Sequence, residues 1–280
     1  MSNASLTLSN SQTPIMQDFE LYVINLDRSA QRWQRIEAHL LTMKLEPQRI
    51  SAVDAAQCDA DTLAQHYSQA VNQKTFFMAL KPAEIGCFLS HRKALEAFLK
   101  NSEKPYAIIL EDDVEFINNP NQYQAQWREV LTGHKPAMVK LFKRRPINGQ
   151  QVVKAAGSAI VRPKLVPLGT QAQVVNRAGA QALLDAFDQF GMPVDVAYQY
   201  WWQHGVEVLV TVPNQINEIS QVVGGTNIGG SQGFSFGYKA KREVKRSWFR
   251  LKLKLVSAWY YNQKTASQLT KAPANKEPSQ

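Results

Sequence analysis

The 280-residue sequence predicts an α/β domain with a largely parallel sheet. Two observations predict it. Apolar runs of strand length alternate with segments of helical periodicity from Phe19 to Phe116, giving strand, helix, strand, helix, strand. The composition, 44% hydrophobic and 20% charged, is that of an ordinary globular chain long enough to bury a sizeable core.

The elements follow in order. Residues 1–17 are small and polar and read as a flexible leader. Phe19–Leu26, FELYVINL, is a buried strand. The helix after it has Ser29 as N-cap and carries Trp33, Ile36, Leu40 and Leu41 at helical spacing. Pro47–Ala55 gives a second short strand. Lys81–Asn101 is helical after Pro82, and YAIILEDDVEF is the next strand. Ala137–Phe142 is a strand, Lys143–Gln150 a basic loop, and GSAIVRP and GTQAQVVN short strands. Arg177–Phe190 is a helix closed by Gly191. A helix from about Pro193 to Gly205, the strand VEVLVTVP and the glycine-rich VVGGTNIGGSQGFSFG loop complete the body.

Several classes are excluded or disfavoured. No apolar run reaches the roughly 18–20 residues of a membrane span. The start has neither a basic n-region nor a continuous apolar h-region, so no signal peptide is expected. Two cysteines, Cys58 and Cys87, make no disulfide framework, and a reducing, cytoplasmic setting is expected. The net charge of +9 is concentrated in Lys239–Lys254, where eight Lys/Arg face one Glu, a local +7. The body therefore lacks a basic face, and nucleic acid is not the expected partner.

Glu111, Asp112 and Asp113 stand at the end of a buried strand, where ligands gather in open α/β sheets. Three adjacent carboxylates repel one another and are costly to desolvate. A divalent cation, Mg²⁺ or Mn²⁺, held by one or two of them and by substrate phosphates would offset that cost. A solvated acidic turn is the simpler alternative. In an extended strand Glu111 and Asp113 share a face and Asp112 points away. Glu84, Cys87 and His91 share a helix face, but their spacing makes a poor zinc site, and Cys87 reads as packing.

The blocks YVINLDRSAQRW, ISAVDA, AEIGCFLSHRKAL, ILEDDVEF, GTQAQVVNRAGAQALL and PVD occur in that order. Together they resemble glycosyltransferase family 25, over roughly Phe19 to Thr226. This family holds bacterial lipopolysaccharide and lipooligosaccharide glycosyltransferases and the collagen galactosyltransferases. The resemblance implies a GT-A-like, Rossmann-type mixed sheet flanked by helices, a nucleotide-sugar donor and inversion at the anomeric carbon. It places the metal on Glu111 and Asp113. Asn25, Arg28, Arg32, Ser90, His91 and Asp112 fall on the donor side, where arginine suits phosphate. Asp195 is the implied general base or acceptor contact, with Glu218 and Asp185 as weaker rivals and a first-turn Asp as the plain alternative. Gln173 and Asn176 depart from the family's more usual Tyr and Ser, which leaves the sugar open. The late VPNQINEI also departs from the family's proline-containing strand end.

The expected organisation is a leader at 1–17, a catalytic domain at 18–236 and a basic amphipathic tail at 237–280. The tail interleaves Lys/Arg with aromatic and aliphatic residues, as interfacial helices do, against the alternative of a solvated terminal helix. The expected function is metal-dependent transfer of a hexose, galactose from UDP-galactose, to a lipid-linked oligosaccharide of a lipopolysaccharide core. The expected place is the cytoplasmic face of a bacterial inner membrane, against anionic lipid. A phosphohydrolase using the same acidic triplet, or an inactive scaffold, is the alternative.

Overall fold

The computed structural model describes residues 16–155, 157–220 and 236–269. The leader and most of the glycine-rich loop lie outside the described residues.

The body is an eight-stranded mixed sheet flanked by helices. In chain order it has β1 (Phe19–Asn25), α1 (Ala30–Thr42), β2 (Gln48–Ser51), α2 (Ala60–Ala64), α3 (Gln69–Thr75), α4 (Pro82–Asn101), β3 (Tyr106–Glu111), β4 (Val114–Phe116) and, after a 3₁₀ turn, α5 (Gln124–Leu131). Then come β5 (Ala137–Lys140), β6 (Gly149–Ala155), β7 (Ser158–Pro163), β8 (Ala172–Asn176), α6 (Arg177–Ala186), α7 (Val194–Ala197), α8 (Trp201–His204), β9 (Glu207–Val212), β10 (Ile216–Glu218) and α9 (Phe236–Leu269). The sheet order is β2-β1-β3-β8-β5-β9-β7-β6, and β10 pairs with β4 in a separate ribbon. β1 is parallel to both β2 and β3, and β5 is parallel to β9, while β8 and β7 run against their neighbours.

Strand periodicity builds the three layers. Tyr22, Ile24, Ala107 and Ile109 face one core with Phe88, Leu95 and Phe98 of α4 and Leu183 of α6. Leu21, Val23, Ile108 and Leu110 face the other with Ile36 and Leu40 of α1 and Trp127 of α5. α4 lies close to the segment after β2 because residue 86 is glycine; a Cβ there would stand 2.4 Å from the Val53 carbonyl oxygen.

Four elements differ from expectation. The stretch ending the expected basic loop continues as β6, an edge strand whose residues are mostly exposed. The helix from Arg177 stops at Ala186, leaving Phe190 to bridge Tyr67. The next expected helix is two single turns, α7 and α8, the second closed by Gly205 at φ 72°. The basic tail forms the 34-residue helix α9, and part of it packs on the body.

Candidate functional site

The carboxyl ends of β1, β2 and β3 lie side by side because these strands are parallel and in register, with Ile24 opposite Glu111 and Asn25 opposite Ser51. The acidic residues gather there. β3 ends at Glu111, and Asp112 and Asp113 form a turn into β4. The alternation expected of an extended strand therefore stops at Glu111, and each carboxylate has its own surroundings.

Glu111 accepts a 2.7 Å hydrogen bond from the Thr170 hydroxyl, and its Oε1 lies 3.3 Å from His91 Nε2. Burial pushes its carboxyl up, but these two partners and the Arg144 charge outweigh it, so its pKa is lowered. Asp112 is engaged through both oxygens, by Asn25 Nδ2 at 2.6 Å and Arg32 at 3.0 Å. Asn25 in turn accepts from Arg49 at 2.7 and 3.0 Å.

Asp113 differs. It is buried, and its Oδ1 has no hydrogen-bond partner. Burial, with the charges of Glu111 and Asp112, pushes its pKa up to about 7. The cost of three adjacent carboxylates is thus offset at Glu111 and Asp112 by protein partners and left open at Asp113. An orphaned buried carboxylate oxygen beside a second carboxylate suits a hard divalent cation, so the residues fit the implied metal.

On the other side of the site, Asp195 in the first turn of α7 accepts from the Gly169 backbone N–H at 3.0 Å. Lys140, the last residue of β5, is almost wholly buried and donates to the Pro167 carbonyl. Burial lowers its pKa to about 8, against the opposing charges of Asp195 and Glu111. Arg144 holds Glu218 through two nitrogens, at 3.0 and 2.5 Å, and feels the charges of Glu111 and Asp195.

The remaining expected residues are distributed unevenly. Asn25, Arg32, His91, Glu111, Asp112 and Asp113 form one connected network. Arg28 sits more exposed on the loop after β1, paired with Asp54. The Ser90 hydroxyl is buried, donating to the Gly86 carbonyl at 2.6 Å and accepting from Val53 N–H at 2.8 Å, so it ties α4 to the segment after β2. Glu84 caps the start of α4 through Lys81 N–H at 2.7 Å. The ligand atoms of Cys87, His91 and Glu111 lie within 4.8 Å of one another. Burial, then the charges of Glu111 and Asp195, push the Cys87 thiol well above its usual range, which disfavours thiolate ligation. Gln173 lies between His91 and Tyr198, 3.4 Å from each. Asn176 caps α6 through Gly179 N–H at 2.7 Å, opposite Tyr106 at the far end of β3 from Glu111. It therefore stands away from the site, contrary to expectation. Of the rival bases, Glu218 is held by Arg144, and exposed Asp185 accepts from Gln181 on its own helix.

Thr170, Arg49, Lys140 and Arg144 were not singled out from sequence. The basic loop after β5 was the one signal available, and it pointed to Arg144.

A helix-flanked α/β sheet with a carboxylate cluster at its strand ends defines a cation- and phosphate-handling class of site. Residues 18–198 match the family model described as "Glycosyltransferase family 25 (LPS biosynthesis protein)", and the chain belongs to that family. It is 28% identical over 192 residues to human procollagen galactosyltransferase 2, covering 63% of this chain and 29% of that protein. It is equally 28% identical over 177 residues to a rat protein called "Probable inactive glycosyltransferase 25 family member 3", covering 59% and 29%. The chain thus spans less than a third of the length of the curated relatives it matches. Among solved structures, a Drosophila β-1,4-galactosyltransferase 7 mutant in complex with manganese, UDP-Gal and xylobiose aligns over 80% of this chain and 79% of that one, at 11% identity and a TM-score of 0.35. A Bacillus anthracis glucose-1-phosphate thymidylyltransferase, described as putative, aligns over 76% and 98%, at 9% identity and a TM-score of 0.36. Likeness at this level adds nothing to the family assignment.

Proposed function

We propose that this chain is a metal-dependent, inverting glycosyltransferase of GT-A-like type, moving galactose from UDP-galactose onto a lipid-linked oligosaccharide of a lipopolysaccharide or lipooligosaccharide core. The observation that carries the reading is Asp113, a buried carboxylate with an unpartnered oxygen beside Glu111 at the strand ends. The family description supports the lipopolysaccharide acceptor, and the procollagen galactosyltransferase relative supports the sugar.

Glu111 and Asp113 would hold Mn²⁺ or Mg²⁺, which when bound neutralises the departing diphosphate. Thr170 and His91 orient Glu111. Asn25, Arg32 and Asp112 form the donor-side wall, and Arg28 and Arg144 offer guanidinium forks to phosphate. Asp195 takes the proton of the acceptor hydroxyl as that oxygen bonds to the anomeric carbon and the bond to the diphosphate oxygen breaks. Ser90 acts through α4, keeping His91 in place. The reading puts the enzyme at the cytoplasmic face of the inner membrane, where a lipid-linked acceptor is met.

Thermal melting with UDP, UDP-galactose, UDP-glucose, UDP-N-acetylglucosamine and GDP-mannose, each with Mn²⁺ or EDTA, tests it. A Mn²⁺-dependent rise with UDP-galactose is expected, since a ligand of the folded state alone stabilises by mass action. No rise with any nucleotide would overturn the reading in favour of an inactive family member. Phosphate release without sugar transfer would favour the phosphohydrolase.

A further inference from the structure

Helix α9 has two apolar faces, and the body covers one. On the inner face, the Phe249 ring lies 5.4 Å from those of Phe76 and Phe77, and Tyr260 stacks on Trp202 at 5.4 Å with planes 5° apart. Leu253 and Tyr261 are buried, and the Ser257 hydroxyl donates to the Lys164 carbonyl at 2.7 Å.

The outer face consists of Val244, Trp248, Leu251, Leu255 and Trp259, which are 70, 68, 49, 63 and 57% exposed. Steps of four, three, four and four residues align them in one stripe opposite the inner face, roughly 22 Å long. Scattered exposed apolar residues are ordinary; a continuous row with two tryptophans is not.

Exposed cations border the stripe. Lys245 and Lys252 lie on one side and Lys254 and Arg250 on the other, roughly 60–140° from its centre by the helical period. Glu243 is the sole acidic residue of α9. Apolar side chains between lysines, with tryptophan at the boundary, match the layering of a bilayer interface: aliphatic stems follow the apolar plane and ammonium groups reach the phosphates. A second copy fits poorly, because pairing two such faces would set these cations against one another. No helix among the described residues is long and apolar enough to cross a membrane.

We infer that the outer face of α9 docks in the headgroup region of an anionic bilayer, lying in its plane, while the inner face fixes the catalytic body to it. The inference extends the reading of a lipid-linked acceptor but stands on α9 alone. Truncating α9 would uncover Phe76, Phe77 and Trp202, so side-chain variants give the cleaner test.

The full chain is sedimented with vesicles of phosphatidylcholine alone or mixed with phosphatidylglycerol, without nucleotide. Binding to the mixed vesicles only, weakened by salt, is expected. Trp248→Ser with Trp259→Ser should lower partitioning at least about tenfold, with an unchanged melting point because both side chains point outward. Glu111→Ala with Asp113→Ala should bind vesicles as the parent does, so failure of the catalytic reading and failure of this one are read separately. Absent binding to anionic vesicles, undiminished binding by the tryptophan variant, or a solution dimer that this variant dissociates would overturn the inference.

Discussion

The Thr170 hydroxyl donates to Glu111 at 2.7 Å, while the N–H of the preceding residue, Gly169, donates to Asp195 at 3.0 Å. Two adjacent residues thus tether the proposed metal carboxylate and the proposed base. Thr170→Val keeps the shape and removes the first tether. It should raise the Glu111 pKa and weaken Mn²⁺ binding by up to about tenfold, the worth of one such hydrogen bond. Calorimetric titration with Mn²⁺ measures this; unchanged affinity would remove Glu111 from the metal site.

Asp113 sets a pH dependence. Its pKa is raised from 3.8 to about 7, so the fold favours the protonated acid. The stability this contributes is fully present below 3.8 and is lost as pH rises through about 7. A cation must displace that proton, so Mn²⁺ affinity should rise with pH and level off above about 7. Asp113→Asn should melt higher than the parent at pH above about 7 without metal, and lose the Mn²⁺-induced shift. Melting curves across pH, with Mn²⁺ and with EDTA, check both parts.

Asp195→Asn keeps an oxygen to accept from Gly169 but removes the base. Turnover should fall by about 10²–10⁴-fold, the usual contribution of general-base catalysis, with donor binding nearly unchanged. Equal losses in donor binding and turnover would make Asp195 a positioning residue.

Ser90→Ala leaves the Val53 N–H without its acceptor. A loss of about 1–2 kcal/mol in unfolding free energy is expected, with UDP-sugar affinity retained at temperatures well below melting. A selective loss of nucleotide affinity at unchanged stability would instead place Ser90 against the donor.

Much of this was legible in the chain. β1, β3, α4 and β9 stand close to where their apolar patterns put them, because long, strongly periodic segments specify themselves. The acidic triplet also falls at strand ends, as parallel order requires. β6 was missed because its residues are mostly exposed and no buried face imposes alternation on GQQVVKA. The chemistry around the triplet was less visible. Asp112 leaves the strand alternation because β3 stops one residue earlier, and its partners Asn25 and Arg32 are 87 and 80 residues away. Thr170 and Lys140 carry no local signal, since only the antiparallel insertion of β8 between β3 and β5 brings their segments together. α9 read as a tail because its inner aromatics meet Phe76, Phe77 and Trp202, partners that periodicity alone does not reveal.

Asn25 has a consequence of its own. Its carbonyl oxygen faces the Arg49 guanidinium and its amide nitrogen faces the Asp112 carboxylate. The side chain is a neutral dipole aligned head to tail between a cation and an anion, and each end prevents the amide from flipping. Arg49, on the neighbouring strand, is thereby coupled to the acidic turn through polarisation rather than contact. The electrostatic boundary of the site thus lies one strand farther out than its carboxylates, at a residue that touches none of them.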